Sequence, residues 1–298
     1  MREVHLRDLI AVIDTGSIRS AALKLGISQA AVSKNLTALE KSLGVLLLNR
    51  TSKGVAPTEA GLIVLRRARV VDSELRHLIE EMGVQFKGKQ KLICVGLSAT
   101  AEMTLLPMAL ERFNEKISSI RVSVFGGRSL SNIAALRESK IDFAVGPLPS
   151  DQNCYDLDTE QLCSSKLGIV VRAGHPAEDV RSLASLISYG WIYGVNQTSG
   201  VLISLLMHKQ GLPEPSLVVH CDSSSALVSM LLQSNNVTLS SLDSLEPFRA
   251  AGILKFLPIE IDLPPTVQYL ITPSTRPLTK WAQELADEFR RASRRLNR

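Results

Sequence analysis

The stretch GSIRSAALKLGISQAAVSKNLTALEKSLG, residues 16–44, decides how the N-terminal part of this 298-residue chain folds. Ser17 reads as the N-cap of a helix over 18–25, because its hydroxyl can accept an N–H group that a helix start leaves unpaired. Ala21 and Ala22 keep that helix thin enough for a neighbour to come close. Gly26 stands where the chain must turn through a left-handed conformation, which glycine adopts at least cost. Ser28 caps the next helix and Gly44 ends it. Within it Val32, Leu36, Leu39 and Leu43 recur at i, i+4, i+7 and i+11, an apolar stripe for packing. Upstream, VHLRDLIAVI (4–13) has apolar residues at helical spacing and reads as a first helix, stopped by Asp14-Thr15-Gly16.

The remaining face of the 28–44 helix carries Gln29, Ala30, Ser33, Lys34 and Thr37. It is short-chained, polar and basic. Helices that read DNA present such groups to base edges from their N-terminal turns. A solvated face is the plain alternative, and the helix–glycine turn–helix setting argues for recognition. VLLLNRTSKGVAPTEAG (45–61) then reads as a strand, a Ser-Lys-Gly turn and a second strand, a wing whose Arg50, Thr51 and Lys53 face phosphates. Charge agrees with this placement. Residues 1–90 hold 14 Lys and Arg against 9 Asp and Glu, whereas the remainder holds 20 of each, so the whole net charge of +5 belongs to the first third.

Thr58 caps a further helix, Glu59 to about Gln85. Val64, Ala68, Val71, Leu75, Leu78 and Met82 follow it at 4-3-4-3-4 spacing, a 3.5-residue repeat that suits pairing with another helix. The alternative is a helix packed on its own domain. Phe86-Lys87-Gly88-Lys89-Gln90 reads as a hinge.

Residues 91–298 alternate strands and helices, an α/β arrangement. LICVGLS, IRVSVFGG and IDFAVGP are strands, with helices over about 102–114 and 130–138 between them. KLGIVVR starts a second lobe, continued by GWIYGV, LVVHC and VTLSS; VQYLITP returns to the first lobe before a final helix over 278–296. Ligands of such folds sit at the C-terminal ends of strands, beside helix N-termini. The residues there are Ser98-Ala99-Thr100, Ser129 and Asn196-Gln197-Thr198-Ser199.

Several classes of function are disfavoured. GLSAT (96–100) lacks the second glycine of a nucleophile elbow. His5, His77, His175, His208 and His220 form no metal pattern. No phosphate-binding glycine motif occurs, so no cofactor is expected. Cys94, Cys154, Cys163 and Cys221 form no CxxC pair; Cys154 and Cys163, nine positions apart, lack the clustered cations a redox switch uses. No apolar run is long enough to span a membrane, and the N-terminus lacks signal-peptide character, so a cytoplasmic protein is expected.

The stretch 16–61 resembles the winged helix-turn-helix of LysR-type transcriptional regulators. The features that carry the resemblance are the Gly-Ser before the second helix, the paired alanines, SQxAVS, LExxLG, the NRT wing and PTxAG. LPMALERFNEK, LRESKIDFAVG, AGHPAEDVRSLASLISYGWI and GLPEP resemble the effector domain of the same family, a two-lobed fold related to periplasmic binding proteins. The resemblance implies a winged domain over 1–58, a dimerisation helix and hinge over 59–90, and an effector domain over 91–298. One lobe would take about 91–164 and 268–298, the other about 165–267. It implies that Gln29, Ala30, Ser33 and Lys34 approach bases, that Ser17, Arg50, Thr51 and Lys53 contact phosphates or the minor groove, and that Ser98, Thr100, Ser129, Gln197, Thr198 and Ser199 line an inducer site. In the DNA-binding domain two positions depart from the family pattern: Leu48 stands where Phe is common, and Lys34 where Arg is frequent, so the planar bidentate fork is missing at that contact. In the effector domain QSNNVTLSSLD stands where the family often has a Gly-rich stretch ending in Pro; Asn235 and Asn236 are expected to supply the same left-handed turn, and the pocket edge near Thr238 to differ from the common form. The implied function is ligand-responsive control of transcription, without catalysis. The implied partners are double-stranded promoter DNA, a small organic effector, further copies of the chain in a homodimer or homotetramer, and RNA polymerase, with no membrane; the hydroxyls and helix starts of the pocket segments suit a carboxylate-bearing effector, with a neutral polar one as the alternative. The alternative is an architectural DNA-binding protein that ignores small molecules.

Overall fold

The structure, a computed structural model, describes residues 1–51, 54–81, 91–117, 120–149, 154–194, 197–221, 223–274 and 276–296. The chain divides into two compact units, Met1–Lys89 with Ala134–Asp142, and Gln90–Ile133 with Phe143–Arg298.

The first unit opens with α1 (Glu3–Thr15), α2 (Ile18–Leu25) and α3 (Gln29–Leu43). The serines act as caps: Ser17 Oγ accepts from the Ser20 N–H at 3.4 Å, and Ser28 Oγ from the Ala31 N–H at 3.1 Å. Gly26 turns the chain at φ +67°. Leu9, Val12, Ala21, Val32, Leu36 and Leu39 meet in one core. Leu43 continues the stripe in sequence but stays 39% exposed in the last turn of α3. The wing is β1 (Leu48–Thr51) paired antiparallel with β2 (Gly54–Pro57). It is tied to the α1–α2 corner by the Val55 N–H, which donates to the Gly16 carbonyl at 2.9 Å.

Thr58 Oγ1 accepts from the Gly61 N–H at 2.9 Å and caps α4 (Glu59–Glu81). Gly61 has to be glycine, because a Cβ there would lie 2.0 Å from the Leu47 carbonyl oxygen. Ala68 is 1% exposed within the N-terminal core and Val64 packs beside it, so the first part of the 3.5-residue stripe serves the chain's own domain. Farther along, Val71 and Leu78 are exposed and Leu75 is half-buried. Met82 and the hinge at 86–90 lie outside the described residues.

Residues 134–142 join this unit through Arg69 of α4. Its buried guanidinium pairs with Asp14 at 2.5 Å and with Glu138 at 3.0 Å, and Lys140 adds a contact to Glu138 at 2.6 Å. Glu138 is followed by Ser139 at φ +51°, a conformation uncommon outside glycine.

In the second unit come β3 (Lys91–Leu97), α5 (Ala99–Lys116), β4 (Ile120–Gly126), α6 (Ser129–Arg137, which runs on into the first unit's segment), β5 (Phe143–Gly146), β6 (Leu157–Ser165) and β7 (Leu167–Arg172). After a short 3-10 turn at Leu183–Leu186 follow β8 (Trp191–Tyr193), α7 (Gln197–Lys209), β9 (Val218–His220), α8 (Ser224–Gln233), β10 (Val237–Ser241), α9 (Leu242–Ala250), β11 (Leu254–Phe256), β12 (Thr266–Pro273) and α10 (Lys280–Leu296). One five-stranded sheet has the order β4-β3-β5-β12-β6, the other β11-β7-β10-β8-β9. The chain crosses between the sheets twice, after β6 and before β12, and these two strands pair antiparallel at one sheet edge. Phe113, Phe143 and Phe289 centre the first core; Trp191, Met207 and Leu239 lie in the second.

Asn235 and Asn236 do not supply a left-handed turn, since Ser139 is the one positive-φ residue other than glycine among the described residues. The segment is held by hydrogen bonds instead. The Arg172 guanidinium donates to Asn235 Oδ1 at 2.8 Å and to the Ser234 carbonyl at 3.1 Å. His175 has a structural role. Its Nδ1 accepts from the Ala177 N–H at 2.9 Å, which leaves Nε2 to donate to the Asn235 carbonyl at 3.1 Å. Thr238 is fully buried and its hydroxyl donates to the Ile192 carbonyl at 2.8 Å, so it does not line a pocket edge.

Candidate DNA interface and effector cleft

A helix packed along one stripe leaves the opposite face to solvent, and on α3 that face is chemically distinct. Ala30, Ser33, Lys34, Thr37, Ala38 and Lys41 line an open hollow of about 520 Å³. Ala30, Lys34, Thr37, Ala38 and Lys41 are exposed and Ser33 is half-buried. Gln29 opens the helix, also exposed. Neither Lys34 nor Lys41 has an ion-pair partner among the described residues, so both ammonium groups are available to an anion. Thr37 satisfies its hydroxyl on its own helix by donating to the Ser33 carbonyl at 3.0 Å. Ala38 and Lys41 were missed in the sequence, although their i+4 and i+7 spacing from Lys34 extends the same face.

The wing is anchored from α3. Glu40 Oε1 accepts from the Leu47 N–H at 2.8 Å and from the Leu48 N–H at 3.2 Å. The glutamate of the LExxLG pattern thus binds the backbone that leads into β1 and fixes where the wing leaves the core. Arg50 and Thr51 belong to β1, opposite Val55 and Gly54. Their side chains, and all of Lys53, lie outside the described residues.

The hydroxyl-rich positions of the second unit lie at the starts of helices. Ser98 is 8% exposed and its hydroxyl is engaged on both sides. It accepts from the Ala101 N–H at 3.2 Å as the N-cap of α5 and donates to Gln268 Oε1 of β12 at 2.7 Å. Its acceptor is a carboxamide oxygen, so the hydroxyl serves as a structural link between α5 and β12. Ala99 and Thr100 are half-buried in the first turn of α5, and Ser129 is half-buried at the start of α6. They follow adjacent parallel strands, since Leu97 of β3 lies opposite Gly126 of β4. Gln197, Thr198 and Ser199 open α7, their side chains outside the described residues.

One acid stands among these groups that the sequence reading passed over. A Cβ on Gly126 would meet a Glu102 carboxylate oxygen, so this side chain lies over the end of β4. Burial pushes its carboxyl up from the ordinary value. Cys163 lies in the first-lobe core, and burial, with the Asp243 charge second, pushes its thiol up to about 11. A thiol held protonated in this way is a poor nucleophile.

Comparisons with known proteins agree with this architecture. A family model described as bacterial regulatory helix-turn-helix protein, lysR family, matches residues 4–62, and one described as LysR substrate binding domain matches residues 87–294. The chain is 28% identical over 263 residues to the HTH-type transcriptional regulator TdcA of Escherichia coli K12, covering 87% of this chain and 83% of TdcA. It is 26% identical over 298 residues to GbpR of Azospirillum brasilense, covering 97% and 86%. Its fold is similar to that of a full-length OxyR variant from Pseudomonas aeruginosa, at a TM-score of 0.73 and 18% identity over 97% of this chain and 95% of OxyR. CbnR, a LysR family transcriptional regulator, shares it at 0.67 and 17% identity over 98% and 99%.

Proposed function

The chain belongs to the LysR family of DNA-binding transcriptional regulators, and from that premise we propose that the exposed face of α3 reads duplex promoter DNA under the control of a small molecule held by the second unit. The observation that carries the reading is the hollow along α3, where two unpaired lysines stand among side chains short enough to let base edges approach. Gln29, Ala30, Ser33 and Lys34 take the major-groove role, with Lys41 toward a flanking phosphate. Ser17, Arg50, Thr51 and Lys53 hold the backbone. In support, CbnR, whose fold is similar to this chain's, has been solved as a full-length chain complexed with target DNA. A two-fold site is read by a dimer seamed along α4 through Val71, Leu75 and Leu78, and pairs of dimers form a tetramer that meets RNA polymerase in the cytoplasm. Control of transcription is its role, with no catalytic step of its own.

The effector binds where α5 and α6 begin, between the lobes. The N-terminal dipoles of these helices favour a carboxylate, and Glu102 beside them favours a ligand that also donates a hydrogen bond, as a hydroxy or amino acid does. A thermal-shift screen of the full chain tests this with matched small acids, plain against hydroxy- or amino-substituted. A specific ligand stabilises the folded chain by mass action. Hits are expected in the substituted set, and each hit should change affinity for the operator, because coupling is reciprocal. Hits that leave DNA affinity unchanged, or no hits with unaltered footprints, would favour the architectural alternative.

A further inference from the structure

Asp8 lies on the face of α1 that packs on α3, and it is 0% exposed. One carboxylate oxygen accepts from Asn35 Nδ2 of α3 at 2.8 Å. The other, Oδ1, is buried without a hydrogen-bond partner, and no cation pairs with Asp8 among the described residues. His5 Nδ1 and Arg7 Nε on the same helix are likewise buried and unpartnered. A half-satisfied carboxylate inside a small apolar core opposes stability, and replacing such a group by an apolar one is often neutral or stabilising. The fold therefore carries a group here that its own stability does not require.

What the group does is fix geometry. Val32, Leu36 and Leu39 hold α3 by apolar contact, which has no preferred direction and tolerates a slide or a roll of the helix. A hydrogen bond of 2.8 Å is directional, and a single polar pair between two helices can select one register. Asn35 adjoins Lys34 and lies between Ser33 and Thr37, so a roll of α3 moves each of these relative to the bases. We propose that Asp8 and Asn35 form a positioning pair that sets the register and rotation of α3 on α1, and so the sequence discrimination of the regulator, at a cost in stability. The inference rests on the reading of α3 as the base-reading helix.

The test uses the full chain, an operator obtained by in vitro selection from random duplexes, and fluorescence anisotropy on operator and random DNA at several salt concentrations. Asp8→Ala should melt at the wild-type temperature or above and keep wild-type affinity and salt slope on random DNA. Its discrimination should fall about tenfold or more, the scale of one good base contact. Asp8→Asn, which keeps an acceptor in place, should retain discrimination. Should Asp8→Ala fail to fold, Asn35→Ala carries the same expectation for discrimination and salt slope, with a lower melting temperature because it leaves the Asp8 carboxylate buried and unpaired. Retained discrimination in the folded alanine variant, or equal loss in Asp8→Ala and Asp8→Asn, would overturn the proposal. Lys34→Ala run beside them separates the two ideas. If it too leaves discrimination intact, the base-reading role of α3 fails. If it alone destroys discrimination, only the positioning pair fails.

Discussion

Removing Glu40 should loosen the wing and destabilise the N-terminal unit far more than its half-buried surface position indicates. Its Oε1 receives two backbone N–H groups, from Leu47 at 2.8 Å and Leu48 at 3.2 Å, and both residues are buried. Hydrogen bonds to a charged group contribute about 1.5–3 kcal/mol each, and a buried N–H left unpaired costs about 1–3 kcal/mol. The two bonds share one oxygen and Glu40 is partly solvated, so about 3 kcal/mol is expected for Glu40→Ala. That is a factor of about a hundred in local opening. Glu40→Gln keeps a neutral acceptor in place and should cost about 1 kcal/mol. Two units make global unfolding a poor reporter, so native-state hydrogen exchange at the Leu36 and Leu39 amides is the suitable assay. Glu40→Ala exchanging within a factor of three of wild type, or Gln behaving as badly as Ala, would refute the reasoning.

Two further outcomes follow from the structure. Cys163 should resist alkylation near neutral pH and react once the chain unfolds, which mass spectrometry of iodoacetamide-treated protein reads directly. Its folded pKa lies above the unfolded value, so the stability it contributes is fully present below about pH 9 and declines as pH rises toward 11; rapid labelling at pH 7.5 in the folded state would contradict this. On α4, Val71→Asp and Leu78→Asp should weaken self-association at least about tenfold, since each puts a charge into the apolar seam proposed there. Sedimentation velocity across micromolar concentrations checks it, and an unchanged dimer would remove the seam from α4.

Local chemistry made the N-terminal unit readable. Ser17, Ser28, Thr58 and Gly26 each meet a geometric demand within three residues of themselves, and the structure uses all four in that way. Features that depend on distant partners were hidden. LDTEQLCSS, the strand β6, has no apolar alternation and exists because β12 pairs with it. Asp8 finds Asn35 across 27 positions, and Arg69 finds Glu138 across 69. Ser98 shows the same limit within a candidate site. A hydroxyl at a strand end reads equally as a ligand or as a cap, and the carboxamide that engages it, Gln268, stands 170 positions away. Glu102 escaped notice because helical spacing alone does not reveal that it covers Gly126.

The division of labour between α3 and the wing is tested most directly by comparing Lys34→Ala with Arg50→Ala. Affinity for the selected operator and for random DNA would be measured from low to high salt. Lys34→Ala should lower discrimination, by about 1–3 kcal/mol if its contact is specific. Arg50→Ala should weaken both duplexes alike and reduce the salt slope by about one phosphate contact. If the two variants behave alike in discrimination and slope, α3 and the wing do not divide base reading from backbone anchoring.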